Sequence, residues 1–163
     1  MTAIRTHTVI DSPIGALTLV AAGENLCGLY MAEHRHKPDE STFGDRSTAV
    51  FGEVESQLAE YFEGVEFSVP LAPVGTEFQK RVWDTLRTIP YGETWTYMEL
   101  AQTLGNPLAI RAAAAANGKN PISIIVPCHR VVGSDGSLTG FGGLERKRFL
   151  LDREHGGESD VLF

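Results

Sequence analysis

The chain is organised around residues 122–131, which read Ile122-Ser123-Ile124-Ile125-Val126-Pro127-Cys128-His129-Arg130-Val131. The first part of this stretch is a largely apolar run, which predicts a buried segment. Pro127 cannot donate a hydrogen bond to a sheet, so we expect the backbone to turn there. Such a turn would present Cys128 at the edge of the core, in a mostly apolar pocket.

Cys128 by itself has two interpretations. A lone buried cysteine is more often an inert small hydrophobe than a nucleophile. His129 favours the second interpretation, because an imidazole can take up the thiol proton or stabilise the thiolate, which is the reactive form. A nucleophilic pair of this kind also needs a third group that orients the histidine, and Glu154 is one candidate.

Length and composition bound the class of protein. The chain has 163 residues, of which 42% are hydrophobic, and this suffices for one domain or two small ones with a sizeable core. No apolar run approaches the roughly 20 residues of a membrane span, and residues 1–5 show no signal-peptide pattern. The two cysteines, Cys27 and Cys128, favour free thiols in a reducing compartment. We therefore expect a soluble, intracellular protein.

The formal net charge of −7 argues at first sight against a nucleic-acid partner. The charge is unevenly distributed, because residues 1–75 hold 4 Lys and Arg against 11 Asp and Glu. Residues 76–156 hold 10 Lys and Arg against 8 Asp and Glu, a net charge of +2. The second half is therefore the candidate nucleic-acid face, and we expect it to bind non-specific DNA weakly.

The first domain, which we place at residues 1–72, begins with strand-like segments. Residues 6–10, 16–21 and 26–31 are separated by turn residues, and this pattern predicts a three-stranded β-meander. The polar stretch 33–46 predicts a loop. His34 and His36 in that loop could form a metal pair with Cys27, but no ligand set has zinc spacing, so we favour solvated histidines.

A helix is predicted to cover one face of this sheet. Ser47 is its candidate N-cap, and Gly64 is its candidate end. Apolar residues recur at helical spacing between them: Val50, Phe51, Val54, Leu58, Tyr61 and Phe62. The proline-containing stretch 66–74 then predicts a linker, which sets the domain boundary.

Residues 76–156 predict a second, mainly helical domain. Thr76 and Thr96 each open a capping box that starts a helix. Gly105 ends the second helix, and the dipeptide Asn106-Pro107 predicts the immediate start of a third. Two helices joined by a short glycine-containing turn have the outline of a DNA-binding helix-turn-helix, although αα-hairpins without that function share it.

The third helix carries Arg111 followed by five alanines and ends at Asn117-Gly118. A turn of methyl groups lets another surface approach the helix backbone closely. That surface is either the protein core, since alanine also has high helix propensity, or a narrow groove of DNA. Arg111 by itself is equally consistent with a surface arginine and with a side chain that enters the base stack.

Residues 125–131 resemble the active-site signature of the O6-alkylguanine-DNA alkyltransferases, or methylated-DNA–protein-cysteine methyltransferases. The resemblance also takes in residues 89–93, 96–97, 111, 117–121 and 139–144. It covers residues 76–155 closely and the first 75 loosely. The family's fold is then expected: an α/β (α+β) protein with an RNase H-like N-terminal domain and a mainly helical, winged helix-turn-helix-like C-terminal domain.

The resemblance also implies catalytic roles. Cys128 would accept the alkyl group, His129 would take the thiol proton through water, and Glu154 would orient His129. Tyr97 would donate a hydrogen bond to the departing guanine. Asn120 would support the site by bonding to nearby backbone, and a turn asparagine before proline is an independent reason for its position.

The implied base pocket is walled by Tyr97, Phe141 and Gly142. The backbone carbonyls of Cys128 and Val131 would read the exocyclic amine of the base. Relatives usually have tyrosine where Phe141 stands, so any hydrogen bond from that hydroxyl is absent. Phenylalanine keeps the flat face for stacking.

The implied DNA contacts centre on Arg111, which would fill the space left by an extruded nucleotide. The other residues expected to face DNA are Ala112, Ala115, Asn117, Gly118, Lys119 and Arg130. The partner would be double-stranded DNA containing O6-alkylguanine, approached from the minor groove. We expect a monomer that is cytoplasmic or nucleoid-associated and needs no cofactor, metal or membrane; cooperative assembly along DNA stays open.

Three alternative functions remain distinguishable. A non-catalytic lesion-binding module of the same superfamily would bind alkylated DNA without transferring the alkyl group. A cysteine hydrolase would turn over an ester repeatedly, but no oxyanion-hole motif is evident. A winged-helix regulator would bind unmodified DNA sequence-specifically. The main hypothesis predicts instead one irreversible transfer per molecule, because nothing in the sequence suggests a second nucleophile that would regenerate the thiol.

Overall fold

The computed structural model describes residues 4–31, 37–61, 67–133 and 144–155. The predicted β-meander is confirmed: β1 (Arg5–Ile10), β2 (Leu17–Ala22) and β3 (Asn25–Met31) pair antiparallel in sequence order. A fourth strand, β4 (Asp45–Arg46), pairs parallel with β1 and gives the order β3-β2-β1-β4. The prediction of a loop over 33–46 is therefore wrong at β4, where two charged residues form a short edge strand that only backbone pairing specifies.

Helix α1 (Gly52–Tyr61) follows the sheet and buries Val54 and Leu58 against it. The predicted N-cap at Ser47 is wrong. The Ser47 amide donates to the carbonyl of His7, so this residue still belongs to the sheet edge, and the helix begins five residues later. The predicted helix end at Gly64 lies outside the described residues.

The free edge of β3 receives two later segments of the chain. The Leu26 amide donates to Pro70 O at 3.0 Å, and residues 70–72 thus belong in part to the sheet rather than to a linker. Farther along the same edge, the Leu29 amide donates to Pro121 O at 2.8 Å, next to an isolated bridge between Leu29 and Ile122. The stretch that leads to Cys128 is therefore hydrogen-bonded to the edge of the N-terminal sheet.

The second half is mainly helical, as predicted. Both capping boxes are present, at Thr76 and at Thr96. The helices are α2 (Glu77–Leu86), α3 (Tyr97–Thr103), α4 (Ile110–Gly118) and α5 (Leu144–Glu154). Two short strands, β5 (Trp95–Thr96) and β6 (Val131–Val132), pair parallel and bring the start of α3 beside the end of the Cys128 segment.

The turn between α3 and α4 is longer than predicted. Gly105 has a φ of 86° just after α3, which fits its predicted role as a helix terminator. Asn106 does not cap a helix, because its Oδ1 accepts from the Leu108 amide in a local turn. Helix α4 begins only at Ile110, and its N-cap Ala109 offers no side-chain oxygen.

One hydrophobic core joins the two halves, and the small residues of α4 contribute to it. Ala113 and Ala116 are buried, and the indole Nε1 of Trp83 on α2 donates to Ala116 O at 2.8 Å. The close approach of α2 to α4 thus uses one side of the alanine run. Its other side, which includes Ala112 and Ala115, is exposed.

Candidate active site

The backbone before Cys128 turns twice. The Ile125 amide donates to Ser123 O at 2.8 Å, so Ile124 forms the centre of a γ-turn with a φ of 71°. The turn predicted at Pro127 is confirmed: the Cys128 amide donates to Val126 O at 2.8 Å, and Pro127 has φ −81° and ψ 63°, the inverse γ-turn. The apolar run is therefore a folded support rather than a strand.

The γ-turn at Ile124 is strained, because β-branched residues rarely adopt a positive φ. A conformation of this kind costs on the order of 1–3 kcal/mol. The buried side chain of Asn120 stabilises it. Its Oδ1 accepts from the Ile122 amide at 3.0 Å, and its Nδ2 donates to Val126 O at 2.7 Å. Asn120 thus holds both ends of the strained loop. These bonds go to nearby backbone groups, as expected of Asn120 from the sequence.

Cys128, His129 and Arg130 form one 3₁₀ helix, and all three side chains are buried. The ring Nε2 of His129 lies 2.6 Å from Oε2 of Glu154, which is at the end of α5. Glu154 is also bound by Arg130, whose Nε donates to Oε1 at 2.7 Å and whose Nη2 donates to Oε2 at 3.0 Å. The hydroxyl of Tyr61, the last residue of α1, donates to the same Oε2.

The charges of this cluster follow from its contacts. Burial alone would raise the pKa of Glu154, but the hydrogen bonds and charges of His129 and Arg130 outweigh burial and lower that pKa to about 2. Burial lowers the pKa of His129, against the opposing effect of Glu154, so we infer a neutral ring at pH 7. Because Glu154 is then an ionised acceptor, the proton of His129 is on Nε2.

The second ring nitrogen of His129 is the basic one. With the proton on Nε2, Nδ1 carries a lone pair, and it is buried without a hydrogen-bond partner among the described residues. A buried polar atom without a partner is uncommon in folded proteins. A neutral imidazole that is held at one nitrogen and free at the other can accept a proton from a neighbouring thiol, directly or through water.

Cys128 needs such a base. Burial raises the pKa of the Cys128 thiol, while a hydrogen bond from Asn120 and the charge of Lys147 act in the opposite direction. The thiol is therefore protonated at neutral pH and becomes a nucleophile only when its proton is removed.

Lys147 and Tyr61 are site residues that the sequence interpretation missed. Lys147 on α5 is fully buried, and its Nζ donates to Val131 O at 2.6 Å. Burial lowers the pKa of Lys147 to about 8. Lys147 lies within a run of charged residues, which predicts a solvated surface, so no sequence signal indicated its burial. Tyr61 fits the helical pattern of a core residue, and its hydroxyl carried no separate signal.

Two expected DNA contacts lie in the protein interior. Arg130 is 8% exposed; besides its bonds to Glu154, its Nη1 donates to Ile89 O at 2.7 Å. Asn117 is 2% exposed, and its Nδ2 donates to Cys128 O at 3.4 Å. Both side chains are buried and bond to the protein interior, although Asn117 Oδ1 has no hydrogen-bond partner among the described residues, so this structure does not present either residue on the exposed surface of α4.

The remaining expected DNA contacts share the exposed side of α4 and its end. Arg111, Ala112, Ala115 and Lys119 are exposed, and Gly118 is partly exposed. Among the expected pocket residues, Tyr97 is half-buried at the start of α3, beside the β5–β6 pair, and Val131 is buried in β6. Phe141 and Gly142 lie outside the described residues, as do His34 and His36.

A cavity of about 200 Å³ lies behind the cluster rather than at the thiol. Its lining includes Tyr61, Tyr91, Pro127 and Arg130 but not Cys128. The base pocket at Cys128 therefore stays a prediction. Within the described segments, no three His, Cys, Asp or Glu side chains gather as a metal site, and no helix is long and apolar enough to cross a membrane. Both cysteines are free thiols.

Comparison with known proteins identifies the family. The profile described as "6-O-methylguanine DNA methyltransferase, DNA binding domain" matches residues 77–156, and the profile of the same family's "ribonuclease-like domain" matches residues 6–73. The methylated-DNA–protein-cysteine methyltransferase of Mycolicibacterium paratuberculosis is 48% identical over 162 residues, which are 96% of this chain and 98% of that protein. This chain belongs to the methylated-DNA–protein-cysteine methyltransferase family.

Other relatives agree with this assignment. The methyltransferase of Haemophilus influenzae is 46% identical over 91% of this chain and 85% of its own length. The solved structure of Mycobacterium tuberculosis OGT in complex with DNA has a TM-score of 0.87 at 50% identity, covering 91% of this chain and 92% of that one. The expected α/β fold, with a ribonuclease-like N-terminal domain and a DNA-binding C-terminal domain, is confirmed.

Membership of the family establishes the activity. The enzyme repairs DNA by direct transfer of an alkyl group to a cysteine of its own chain, and the non-catalytic alternative is not favoured. DNA is its partner.

The neutral state of His129 predicts acid sensitivity of the fold. Below about pH 6.5 the unfolded chain binds a proton at His129 that the folded methyltransferase does not bind, so stability falls as the pH falls. We expect the free energy of unfolding, measured by urea titration, to decrease between pH 7 and pH 5 with a slope of up to about 1.4 kcal/mol per unit from this residue. His129→Asn should remove that slope.

The exposed His155 offers the matched control, since its ring makes no hydrogen bond or ion pair within the described segments. His155→Asn should keep the wild-type slope. An equal slope in wild type and in His129→Asn would contradict a neutral, buried His129.

Proposed function

We propose that Cys128 removes the alkyl group from O6 of guanine in duplex DNA, after the damaged base has been turned out of the helix. The observation that carries this proposal is the buried His129, whose Nδ1 is free within the described residues while its Nε2 is held by Glu154. That arrangement supplies a base on the residue that follows Cys128 in the same 3₁₀ helix, and the protonated thiol of Cys128 needs one.

The transfer step is a single nucleophilic displacement. His129 takes the proton of Cys128, and the thiolate sulfur forms a bond to the alkyl carbon. The bond between that carbon and O6 breaks, and its electron pair leaves with guanine. Tyr97, at the start of α3, donates a hydrogen bond that stabilises the departing guanine anion. The product is a thioether, so each molecule acts once and needs no cofactor.

The charges around Cys128 favour the thiolate during this step. Lys147 is buried beside the site and stays protonated below about pH 8, and its charge lowers the energy of the thiolate. Glu154 balances the positive charge that His129 acquires. The carbonyl oxygens of Cys128 and Val131 already accept from Asn117 and Lys147, but each keeps a second lone pair for the amine of the base.

The exposed side of α4 is the proposed DNA surface. Ala112 and Ala115 present only methyl groups there, so a narrow groove can approach the helix closely. Turning a base out of the stack costs a few kcal/mol. Arg111 would offset that cost by filling the gap, and Lys119 would contact phosphate at the end of the helix. We propose approach from the minor groove by a monomer.

One experiment tests the chemistry directly. Equimolar protein is incubated under reducing conditions with duplex DNA that carries O6-methylguanine, and the protein is then digested and mapped by mass spectrometry. We expect one methyl group on the peptide that contains Cys128 and unmodified guanine in the DNA. The proposal is excluded if the methyl group leaves the DNA but is found on another residue, or if no transfer occurs.

Arg111→Ala tests the proposed turning-out of the base. We expect the variant to react about 10- to 100-fold more slowly with O6-methylguanine in duplex DNA, because the gap-filling contribution of a few kcal/mol is lost. Its reaction with free O6-methylguanine should be nearly unchanged, since no stack has to be opened. Single-turnover rates on the two substrates measure the difference.

Arg46→Ala is the matched control for this comparison. Arg46 is an exposed arginine on β4, in the acidic half of the chain, and its removal changes the net charge equally. Its rates on both substrates should equal those of wild type. If Arg111→Ala is slowed equally on duplex DNA and on the free base, Arg111 has no role in turning out the base.

A further inference from the structure

The N-terminal domain contributes a polar group to the site. Tyr61, at the end of α1, is 1% exposed, and its hydroxyl donates to Glu154 Oε2 across 93 positions of sequence. Burial, and then the charge and hydrogen bond of Glu154, raise the pKa of Tyr61 well above its usual value. The hydroxyl therefore stays protonated and remains a donor.

Aromatic contacts fix the direction of this hydroxyl. The Tyr61 ring stacks on Phe67 with centroids 5.4 Å apart, and it meets Tyr91 edge-on at 5.7 Å. The guanidinium of Arg130 lies 5.6 Å from the centroid of Tyr91. Two aromatic contacts at these distances leave the Tyr61 ring little rotational freedom, so its hydroxyl is held on the carboxylate.

Three donors share one oxygen. Glu154 Oε2 accepts from the hydroxyl of Tyr61, from Nε2 of His129 at 2.6 Å and from Nη2 of Arg130 at 3.0 Å. Each donor draws electron density from that oxygen and so weakens the attraction that it exerts on the others. The hydrogen bond from Tyr61 therefore limits how strongly Glu154 stabilises a protonated His129.

We propose that Tyr61 is a positioning residue for alkyl transfer, through which the N-terminal domain sets both the orientation and the basicity of His129. The inference rests on the proposed role of His129 as the base. Tyr61 acts through Glu154, whereas its core packing would by itself affect only stability. The titratable and charged groups that act on Glu154 or His129 from the packed elements are Tyr61, Tyr91, Arg130 and Lys147, and Arg153 acts on Tyr91.

Tyr61→Phe keeps the ring and removes the hydroxyl. Negative charge then concentrates on Oε2 and stabilises the protonated form of His129, so a larger share of the base is blocked at each pH. Rates are measured in single turnover with saturating O6-methylguanine duplex. We expect the midpoint of the acidic limb of the rate–pH profile to shift to higher pH by about 0.5 pH unit. Looser orientation of His129 should also slow transfer about five- to tenfold on the plateau, with unchanged affinity for DNA.

Tyr91→Phe is the matched control. Tyr91 is the neighbouring ring in the same cluster, and its hydroxyl makes no hydrogen bond among the described residues. The same chemical change there should leave the acidic limb in place. A limb that moves equally in Tyr91→Phe would assign the effect to general disturbance of the cluster and would overturn the proposal.

A second variant keeps the test decisive if Tyr61→Phe does not fold. Incorporating 3-fluorotyrosine at position 61 retains the ring and the hydroxyl but makes the hydroxyl a stronger donor. The acidic limb should then move to lower pH, opposite to the shift in Tyr61→Phe. Wild-type protein that transfers no alkyl group to Cys128 would refute the proposed function. Normal transfer by wild type with an unmoved limb in the Tyr61 variants would overturn this inference alone.

Discussion

We expect Cys128→Ala to abolish alkyl transfer and still to bind alkylated duplex DNA. The sulfur is the acceptor in the proposed step, and alanine leaves no nucleophile in its place. The exposed side of α4 is unaffected by the change, so the affinity for DNA should remain within about twofold of wild type, well under the 1.4 kcal/mol of a tenfold change. Transfer is measured by the mass of the protein after incubation with O6-methylguanine duplex, and binding by fluorescence anisotropy.

Cys27→Ala is the control for this experiment. Cys27 is the other free thiol of the chain, it is buried in β3, and burial raises its pKa. The variant should transfer at the wild-type rate. Residual methylation of Cys128→Ala would exclude Cys128 as acceptor, and methylation of Cys27 in that variant would identify the alternative.

Local chemistry made much of the fold predictable. Capping boxes need only four residues, so Thr76 and Thr96 mark their helices correctly. The turn at Pro127 follows from the missing amide proton, and the three strands of the meander follow from their turns. Each of these features depends on neighbours in sequence, and the sequence therefore contains the information.

Two predicted helix caps are wrong because each residue is bonded to a different backbone group. Ser47 could cap a helix, but its amide pairs with the strand that contains His7 instead. Asn106 could cap α4, but its side chain closes a turn with Leu108. In both cases the side chain of a good capping residue also satisfies a different backbone group: the Ser47 hydroxyl accepts from the Ala49 amide at 3.2 Å, and Asn106 Oδ1 accepts from the Leu108 amide.

The catalytic cluster shows the same limit. The residues alone made Glu154 one candidate partner for His129, and only the resemblance to a family singled it out, since 25 positions separate them. No pattern indicated that Arg130 would turn inward onto Glu154 or that Lys147 would be buried, because charged residues usually face solvent. Their burial is possible because each makes a short hydrogen bond inside the protein.

Glu154→Gln should have the second large effect, because it removes the charge on which the cluster is built. The amide cannot balance a protonated His129, and we expect transfer to slow by about 100-fold or more, the range of a lost acid–base contribution. Arg130 would also be left buried without its counter-charge, which should lower the free energy of unfolding by about 3–5 kcal/mol. Single-turnover rates and urea titration measure the two effects.

A double variant separates chemistry from stability. In Arg130→Met/Glu154→Gln the unpaired guanidinium is absent, so most of the lost stability should return, whereas the slow transfer should persist because His129 still lacks its carboxylate. Asp152→Asn is the matched control, since Asp152 lies on the same helix and its carboxylate makes no hydrogen bond or ion pair with any described residue. Recovery of the transfer rate together with stability would show that Glu154 supports the fold alone and takes no part in activating Cys128.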